Sequence, residues 1–360
     1  MKILHLNSER GWRGGEVQTF LTAIGLARAG AEITVACPAD SPLAQRLAEA
    51  AIPLLPLAQR GSFDLYSAWK LRRWLAQNPV DCLHAHTAHA HSVAALALAG
   101  RREALVVTRR VIFPLSRSWF TAWKYRRAVQ VVAISQGVRA ALLTGGVATE
   151  RLTVIRDGID VAAAASGTSG RFRQELALPA GALLVVCIAH LSADKDHATL
   201  LRAWHEVERA LPNAHLALVG GGEGRDALRR LSQEKYLTRV HFSGFRSDIP
   251  DILADAEVVA LTSRHEGLGS ILMDAQACAR PVVATAAGGI PEIMADGSAG
   301  LLAPVGDHAA VATHLVRLLG DADLRRRLGE AGRTRALAEF DVAHLVTAHL
   351  ALYRRLFATA

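Results

Sequence analysis

Short apolar runs alternate with longer stretches in which apolar residues return every three or four positions. The runs at 2–6, 32–37, 80–84, 104–108, 130–134 and 152–155 are strand-sized. The stretches at 16–29, 42–51, 63–77, 88–99 and 135–144 carry the helical period. Apolar strands separated by amphipathic helices predict a parallel sheet covered on both faces. A small, flexible segment, AAAASGTSG, follows residue 161 and reads as a linker. The alternation then restarts, with strands near 182–189, 215–219, 239–242, 257–261 and 281–284. The expected division is a first domain over 1–162 and a second over 163–340. Residues 341–358 form one more amphipathic helix.

Polar positions add most between 263 and 292. The run His265-Glu266-Gly267-Leu268-Gly269-Ser270 precedes an apolar helical pattern and the strand Pro281–Ala284. A second glycine turn, Gly288-Gly289, leads into Ile290-Pro291-Glu292. Two glycine-rich loop-to-helix junctions thus stand one crossover apart. Glycine lets backbone N–H groups approach an anion closely, and a helix N-terminus adds partial positive charge. Glu266 and Asp274 lie roughly two helical turns apart, on about the same face. Amides flanked by two carboxylates suit a phosphate-linked sugar, amides for phosphates and carboxylates for hydroxyls.

This block resembles the donor-site signature of family 4 retaining glycosyltransferases, whose E-x7-E motif appears as Glu266 to Asp274 and whose GGxPE stands at Gly288–Glu292. The resemblance runs the length of the chain. Gly14-Gly15, HAH at His84–His86, AIS at 133–135, VIRDGID at 154–160, HLSADK at 190–195 and ALVGGGEG at 217–224 all have family counterparts. It implies the GT-B fold, two doubly wound Rossmann-like domains facing each other across a cleft, with the final helix crossing back to the first domain.

The resemblance also implies roles. Gly14 and Gly15 lie against the donor diphosphate. His86 lies near the transferred sugar. Lys195 neutralises the leaving diphosphate, together with amides of Gly267, Leu268, Gly269 and Ser270. Glu266 lies by the donor sugar and Asp274 by ribose hydroxyls. His190 belongs to the same clamp but stands where the family has arginine, and Asp196 where it has glycine, which leaves the phosphate geometry open. From the residues themselves, Arg109 and Arg110 end a strand and fork onto an anionic acceptor, or else form a solvated pair. His89 and His91 fall on the first turn of the next helix. No metal is assigned, because no carboxylate lies near the histidines in sequence. No cofactor is expected. Gly220–Gly224 fails the dinucleotide fingerprint because Arg225 takes the third glycine's place. Asp321-Ala322-Asp323 reads as helix capping rather than a metal-binding DxD.

Composition changes the picture in three ways. The chain has 360 residues, 51% of them hydrophobic, and no run of 18 apolar residues, which predicts a protein without a signal peptide or membrane span. Cys37, Cys82, Cys187 and Cys278 are scattered and suit buried thiols in a reducing cytoplasm. Residues 1–165 hold 20 Lys and Arg against 11 Asp and Glu, a net +9 within a total of +8. A basic first half attracts an anionic acceptor or membrane, or simply reflects an Arg-rich proteome. It lacks a nucleic-acid signature. Residues 116–128, SRSWFTAWKYRRA, either rest on a membrane surface or pack on the sheet through their aromatics.

The expected activity is metal-independent, retaining transfer of a sugar from a nucleotide-diphosphate donor to a glycan or glycolipid of the cell envelope. Lipopolysaccharide core is the example, and the place is the cytoplasm, at the inner face of the membrane. A nucleotide-sugar epimerase of the same fold is the alternative enzyme. It would release altered sugar without acceptor. A non-catalytic nucleotide-sugar-binding protein would bind donor without transfer.

Overall fold

The computed structural model describes residues 1–357. It contains two compact units, Met1–Gly158 with the segment from Val342, and Ile159–Asp341. The first is built on a seven-stranded sheet: β1 Lys2–Leu6, β2 Glu32–Cys37, β3 Leu54–Pro56, β4 Cys82–Ala85, β5 Ala104–Arg109, β6 Gln130–Ala133 and β7 Leu152–Val154. Their spatial order is β3-β2-β1-β4-β5-β6-β7, and every pair is parallel. The second unit holds β8 Leu183–Ile188, β9 Ala214–Val219, β10 Val240–Gly244, β11 Val258–Leu261, β12 Val282–Thr285 and β13 Leu301–Ala303. Their order is β10-β9-β8-β11-β12-β13, again all parallel.

Both sheets are doubly wound, with the order reversing beside β1 and beside β8. Ligands in such sheets bind beyond the carboxyl ends of the strands, where the reversal opens a crevice. The loops after β1 and β4 meet in that region of the first unit, and those after β8 and β11 in that of the second. Burial explains why the strands read as continuous apolar runs. All four residues of β6, β11 and β12 are buried.

The helix Val342–Phe357 belongs to the first unit. Leu345, Val346, Leu352 and Tyr353 join the core formed by Ile3, Leu26, Ile33 and Val35. Its partner helix, Gly14–Arg28, accommodates it through Gly25, where a Cβ would stand 2.2 Å from Val346 Cγ2. Residue 358, the last of the expected helix, lies outside the described residues.

Three local expectations change. The segment expected as a linker is structured. Asp160 caps a short helix, Val161–Ala164, with Oδ1 accepting from Ala163 N at 2.9 Å. Gly167 then packs so closely that a Cβ would lie 2.0 Å from Pro250 O. The small residues serve close packing rather than freedom. Strands β3 and β13 are additional. Each has three residues, too few for a period, and β3 ends in Pro56 at the sheet edge, where a missing N–H costs no ladder bond. In 116–128, Phe120, Lys124 and Tyr125 turn inward, whereas Trp119 is exposed. The helix Trp119–Arg127 therefore packs by part of its aromatic set only.

Candidate functional site

In the second unit the chain leaves β8 at Ala189-His190 and meets the glycine turn after β9. Gly220 and Gly222 have φ of +152° and +150°, and Cβ atoms there would stand 1.9 Å from Ala189 O and 2.5 Å from Leu191 O. Only glycine fits so near another backbone. Leu191 N donates to Gly221 O at 2.8 Å, and Gly224 N to Leu191 O at 2.9 Å. The turn thus positions the His190 segment. His190 Nε2 lies 3.2 Å from Glu223 Oε2.

Ala193–Lys195 forms one turn of 3-10 helix, and the Lys195 ammonium donates to Glu266 Oε2. Ser263 Oγ donates to the same oxygen at 3.1 Å. Two expected site residues from distant loops are therefore brought into contact. The Glu266 carbonyl accepts from Gly289 N at 3.2 Å, tying the second glycine turn to the first. Gly269 has φ +89°, and a Cβ would crowd Glu266 Cγ and Ile290 Cγ1 at 3.4 Å. It is the N-cap of the helix Ser270–Ala277, whose first N–H groups receive no side-chain cap. Asp274 lies on that helix, and burial pushes its carboxyl up to about 7.

Asp196 does more than the sequence reading assigned to it. It adopts the left-handed conformation, φ +43° and ψ +48°, the region that makes glycine the family residue here. Its carboxylate caps the helix His197–Ala210 by accepting from Thr199 N at 3.3 Å and Thr199 Oγ1 at 2.7 Å. Arg264 Nε donates to Oδ2 at 2.8 Å. The aspartate therefore replaces glycine's freedom with a cap, and anchors an arginine two residues before Glu266.

In the first unit the helix Gly14–Arg28 opens with Gly14-Gly15, as the spacing predicts. Arg13 N donates to Glu16 Oε2 at 2.9 Å, which closes the first turn. A Cβ on Gly15 would meet Arg110 Cδ at 3.9 Å, so Arg110 lies over this turn. Its Nε donates to buried Asp157 Oδ1 at 3.3 Å and its Nη1 to His86 Nδ1 at 3.2 Å. Burial raises the Asp157 carboxyl, with Arg110 opposing the shift. Arg109 turns elsewhere, donating to Tyr125 Oη at 3.2 Å and to Phe113 O. The two arginines are thus neither a solvated pair nor a fork on one target. Adjacent residues at a strand end point to opposite sides, and each finds its own partners.

His86 is buried and part of a cluster that sequence spacing did not reveal in full. His5 Nδ1 lies 2.8 Å from His86 Nε2. His84 and His86 rings are 4.2 Å apart, as two residues on one face of a strand end should be. His84 Nδ1 pairs with Tyr353 Oη at 2.6 Å and Nε2 with Thr108 Oγ1 at 2.7 Å. His349 completes the group, 5.5 Å from His84. Burial lowers all four, His5 to about 3, His349 to about 4, and His84 and His86 well below 6.5. They are neutral rings at pH 7. His5 and His349 were invisible to spacing arguments because β1 and the last helix meet β4 only in the folded unit. His89 and His91 lie on the helix Ala88–Ala97, and His91 Nε2 is 3.0 Å from Lys124 O. Asp321 is an N-cap, as expected, with Oδ1 accepting from Leu324 N at 2.8 Å.

The chain resembles proteins of known kind along both halves. Residues 12–163 match the model described as Glycosyltransferase Family 4, and residues 169–335 that described as Glycosyl transferases group 1. Alpha-maltose-1-phosphate synthase of Mycolicibacterium smegmatis is 32% identical over 266 residues, 66% of this chain and 67% of that protein. The lipopolysaccharide core biosynthesis glycosyltransferase LpsE of Rhizobium meliloti is 34% identical over 181 residues, 50% of this chain. The match spans about half of LpsE, 52% of its length. Among solved structures, Anabaena HepE in complex with UDP and glucose superposes with a TM-score of 0.86 at 25% identity, covering 98% of this chain and 99% of HepE. WaaG, a glycosyltransferase involved in lipopolysaccharide biosynthesis, shares the fold with a TM-score of 0.73 at 15% identity, over 98% of this chain and 99% of WaaG.

Proposed function

The chain belongs to the family 4, group 1 glycosyltransferases of GT-B fold, and from that premise we propose that it transfers a sugar from a nucleotide-diphosphate donor to a glycan or glycolipid of the cell envelope, with retention and without a metal. The observation that carries this reading is the Lys195–Glu266 contact beside the uncapped start of the helix Ser270–Ala277. A cation and a carboxylate from two loops are thus held beside a helix start that no side chain caps. HepE, similar over its whole length, has been seen with UDP and glucose, which supports a nucleotide-sugar donor.

In this account Glu266 takes a hydroxyl of the donor sugar and Asp274 the ribose. In the second unit the diphosphate lies against Lys195 and the amides of residues 267–270. His190, paired with Glu223, contributes positive charge only when protonated. The acceptor hydroxyl attacks from the face the nucleotide leaves, and the leaving phosphate oxygen takes its proton. Stabilising the charge that develops on that oxygen is the main catalytic task. His86 stands beside the transferred sugar as a neutral ring.

The acceptor side falls to the basic first unit, where Arg109 holds the loop at Phe113. Phe63, Tyr66, Trp69 and Trp119 are exposed there, Tyr66 by 71% and Trp119 by 75%. Phe63 and Phe120 are 4.4 Å apart, and the Arg73 guanidinium lies 5.7 Å from the Trp69 ring. Exposed aromatics interleaved with Arg60, Lys70, Arg72 and Arg73 suit an anionic bilayer surface. Among the described residues no helix is long and apolar enough to cross a membrane. The proposed place of action is the cytoplasmic face of the membrane, where a lipid-linked acceptor would be met. Thermal-shift titration with UDP-, GDP- and ADP-sugars in EDTA tests the donor reading. One nucleotide sugar should stabilise the protein with EDTA present. No shift with any donor, or one that needs magnesium, contradicts it.

A further inference from the structure

The buried histidines look at first like a metal pocket, since His5, His84 and His86 bring candidate ligand atoms within 4.8 Å of one another. Hydrogen-bond polarity argues otherwise. Arginine can only donate, so His86 Nδ1 must accept from Arg110 Nη1. A neutral His86 then carries its proton on Nε2, and that N–H points at His5 Nδ1, 2.8 Å away. A protonated ring nitrogen cannot ligate a metal. Both nitrogens of His84 are taken by Tyr353 and Thr108. The cluster is a set of hydrogen bonds with donors running outward from Arg110, to Asp157 on one side and through His86 to His5 on the other.

We infer that His5 is a positioning residue for His86: with Arg110 it holds that ring as the Nε2–H tautomer and in one orientation at the end of β4. The inference rests on the proposed placing of His86 at the donor sugar. The two residues divide the work. Arg110, fixed by the buried carboxylate of Asp157, sets which nitrogen is bare. His5 accepts the proton that remains and stops the ring from turning. The same polarity runs on to the rest of the cluster. His5 must carry its own proton on Nε2. His349 donates from Nδ1 to Leu345 O at 2.9 Å, which leaves its Nε2 bare. The two buried ring nitrogens left without a partner, His5 Nε2 and His349 Nε2, are therefore a donor and an acceptor. No step of this chain of assignments needs a charged histidine.

The test is nitrogen-15 NMR of histidine-labelled protein, with His86 assigned by its substitution. The expected spectrum shows His86 neutral, protonated on Nε2 and bare on Nδ1, from pH 6 to 8. A proton on Nδ1, or on both nitrogens, overturns the inference. This readout needs no substrate, so it stands or falls apart from the proposed transfer reaction. Two variants then test positioning. His5→Asn keeps an acceptor near the position of Nδ1 and should retain kcat within about threefold. His5→Phe keeps ring shape without the acceptor and should lower kcat about tenfold or more, with donor KM little changed. Equal turnover by folded His5→Phe and wild type overturns it as well.

Discussion

Glu266 receives the Lys195 ammonium and the Ser263 hydroxyl on one carboxylate oxygen, Oε2. One oxygen is thus doubly satisfied. The pair also fixes where Lys195 stands. In the proposed reaction Lys195 is the one of the two whose charge the leaving group uses.

Lys195→Ala should therefore slow turnover more than Lys195→Arg. Loss of one charge-assisted contact amounts to about 1.4–4 kcal/mol, or roughly 10- to 1,000-fold in kcat. Arginine keeps the charge and should recover part of it. Steady-state assay of both variants checks this. Wild-type turnover by both variants means the diphosphate is held elsewhere.

If Asp274 holds the ribose as proposed, donor binding should depend on pH. Its carboxyl is raised to about 7, so the ionised form, the better acceptor for ribose hydroxyls, dominates only above that pH. Donor affinity should rise roughly tenfold between pH 6 and 8, following the ionised fraction. Asp274→Asn should flatten the profile. The stability effect has the opposite sign. Between the ordinary 3.8 and about 7 the folded state binds the extra proton, so Asp274 costs stability as pH rises through 7. Asp274→Asn should raise Tm more at pH 8 than at pH 5. Calorimetric titration and thermal melts at both pH values check the two signs.

The alternation of strands and helices was legible because both sheets are parallel and buried, which makes apolar runs continuous. The glycine turns were legible because they depend on local backbone demands. Asp157, His5, His349 and Tyr353 were not. Each acts through a partner far away in sequence, as in His84 with Tyr353, 269 residues apart. Arg110 shows the same limit from the other side. Its place at a strand end was visible, but its partners Asp157 and His86 were not, so a surface role was the natural expectation. Asp196 was visible as a departure, and its left-handed backbone supplies the reason glycine is usual there.

The buried histidines should make the protein acid-sensitive. Their values are depressed in the folded state, so the unfolded chain binds more protons below 6.5. Stability is complete above 6.5 and is lost as pH falls from there toward 4. Each such histidine contributes a slope of about 1.4 kcal/mol per pH unit. Replacing His349, lowered to about 4, with phenylalanine should reduce the slope between pH 6 and 5 by about that amount. Denaturant unfolding at several pH values measures it. An unchanged slope contradicts a neutral, buried His349.

The exposed aromatics make a separate expectation. A triple substitution, Tyr66→Ser, Trp69→Ser and Trp119→Ser, should reduce sedimentation with anionic liposomes several-fold while leaving donor affinity unchanged. Binding by the parent chain should also fall with salt, because exposed charges are screened beyond about 8 Å at physiological ionic strength. Undiminished sedimentation of the triple variant assigns membrane contact to another surface.

The central claim, sugar transfer from a nucleotide donor at the Glu266 turn, is tested most directly by one assay. The protein is incubated with its stabilising nucleotide sugar and an envelope glycolipid extract, beside Glu266→Ala, and the anomeric configuration of the product is read by NMR. The account predicts a product with the donor's configuration from the wild type, and none from a Glu266→Ala variant that melts like the wild type. An inverted product, or full turnover by Glu266→Ala, contradicts it.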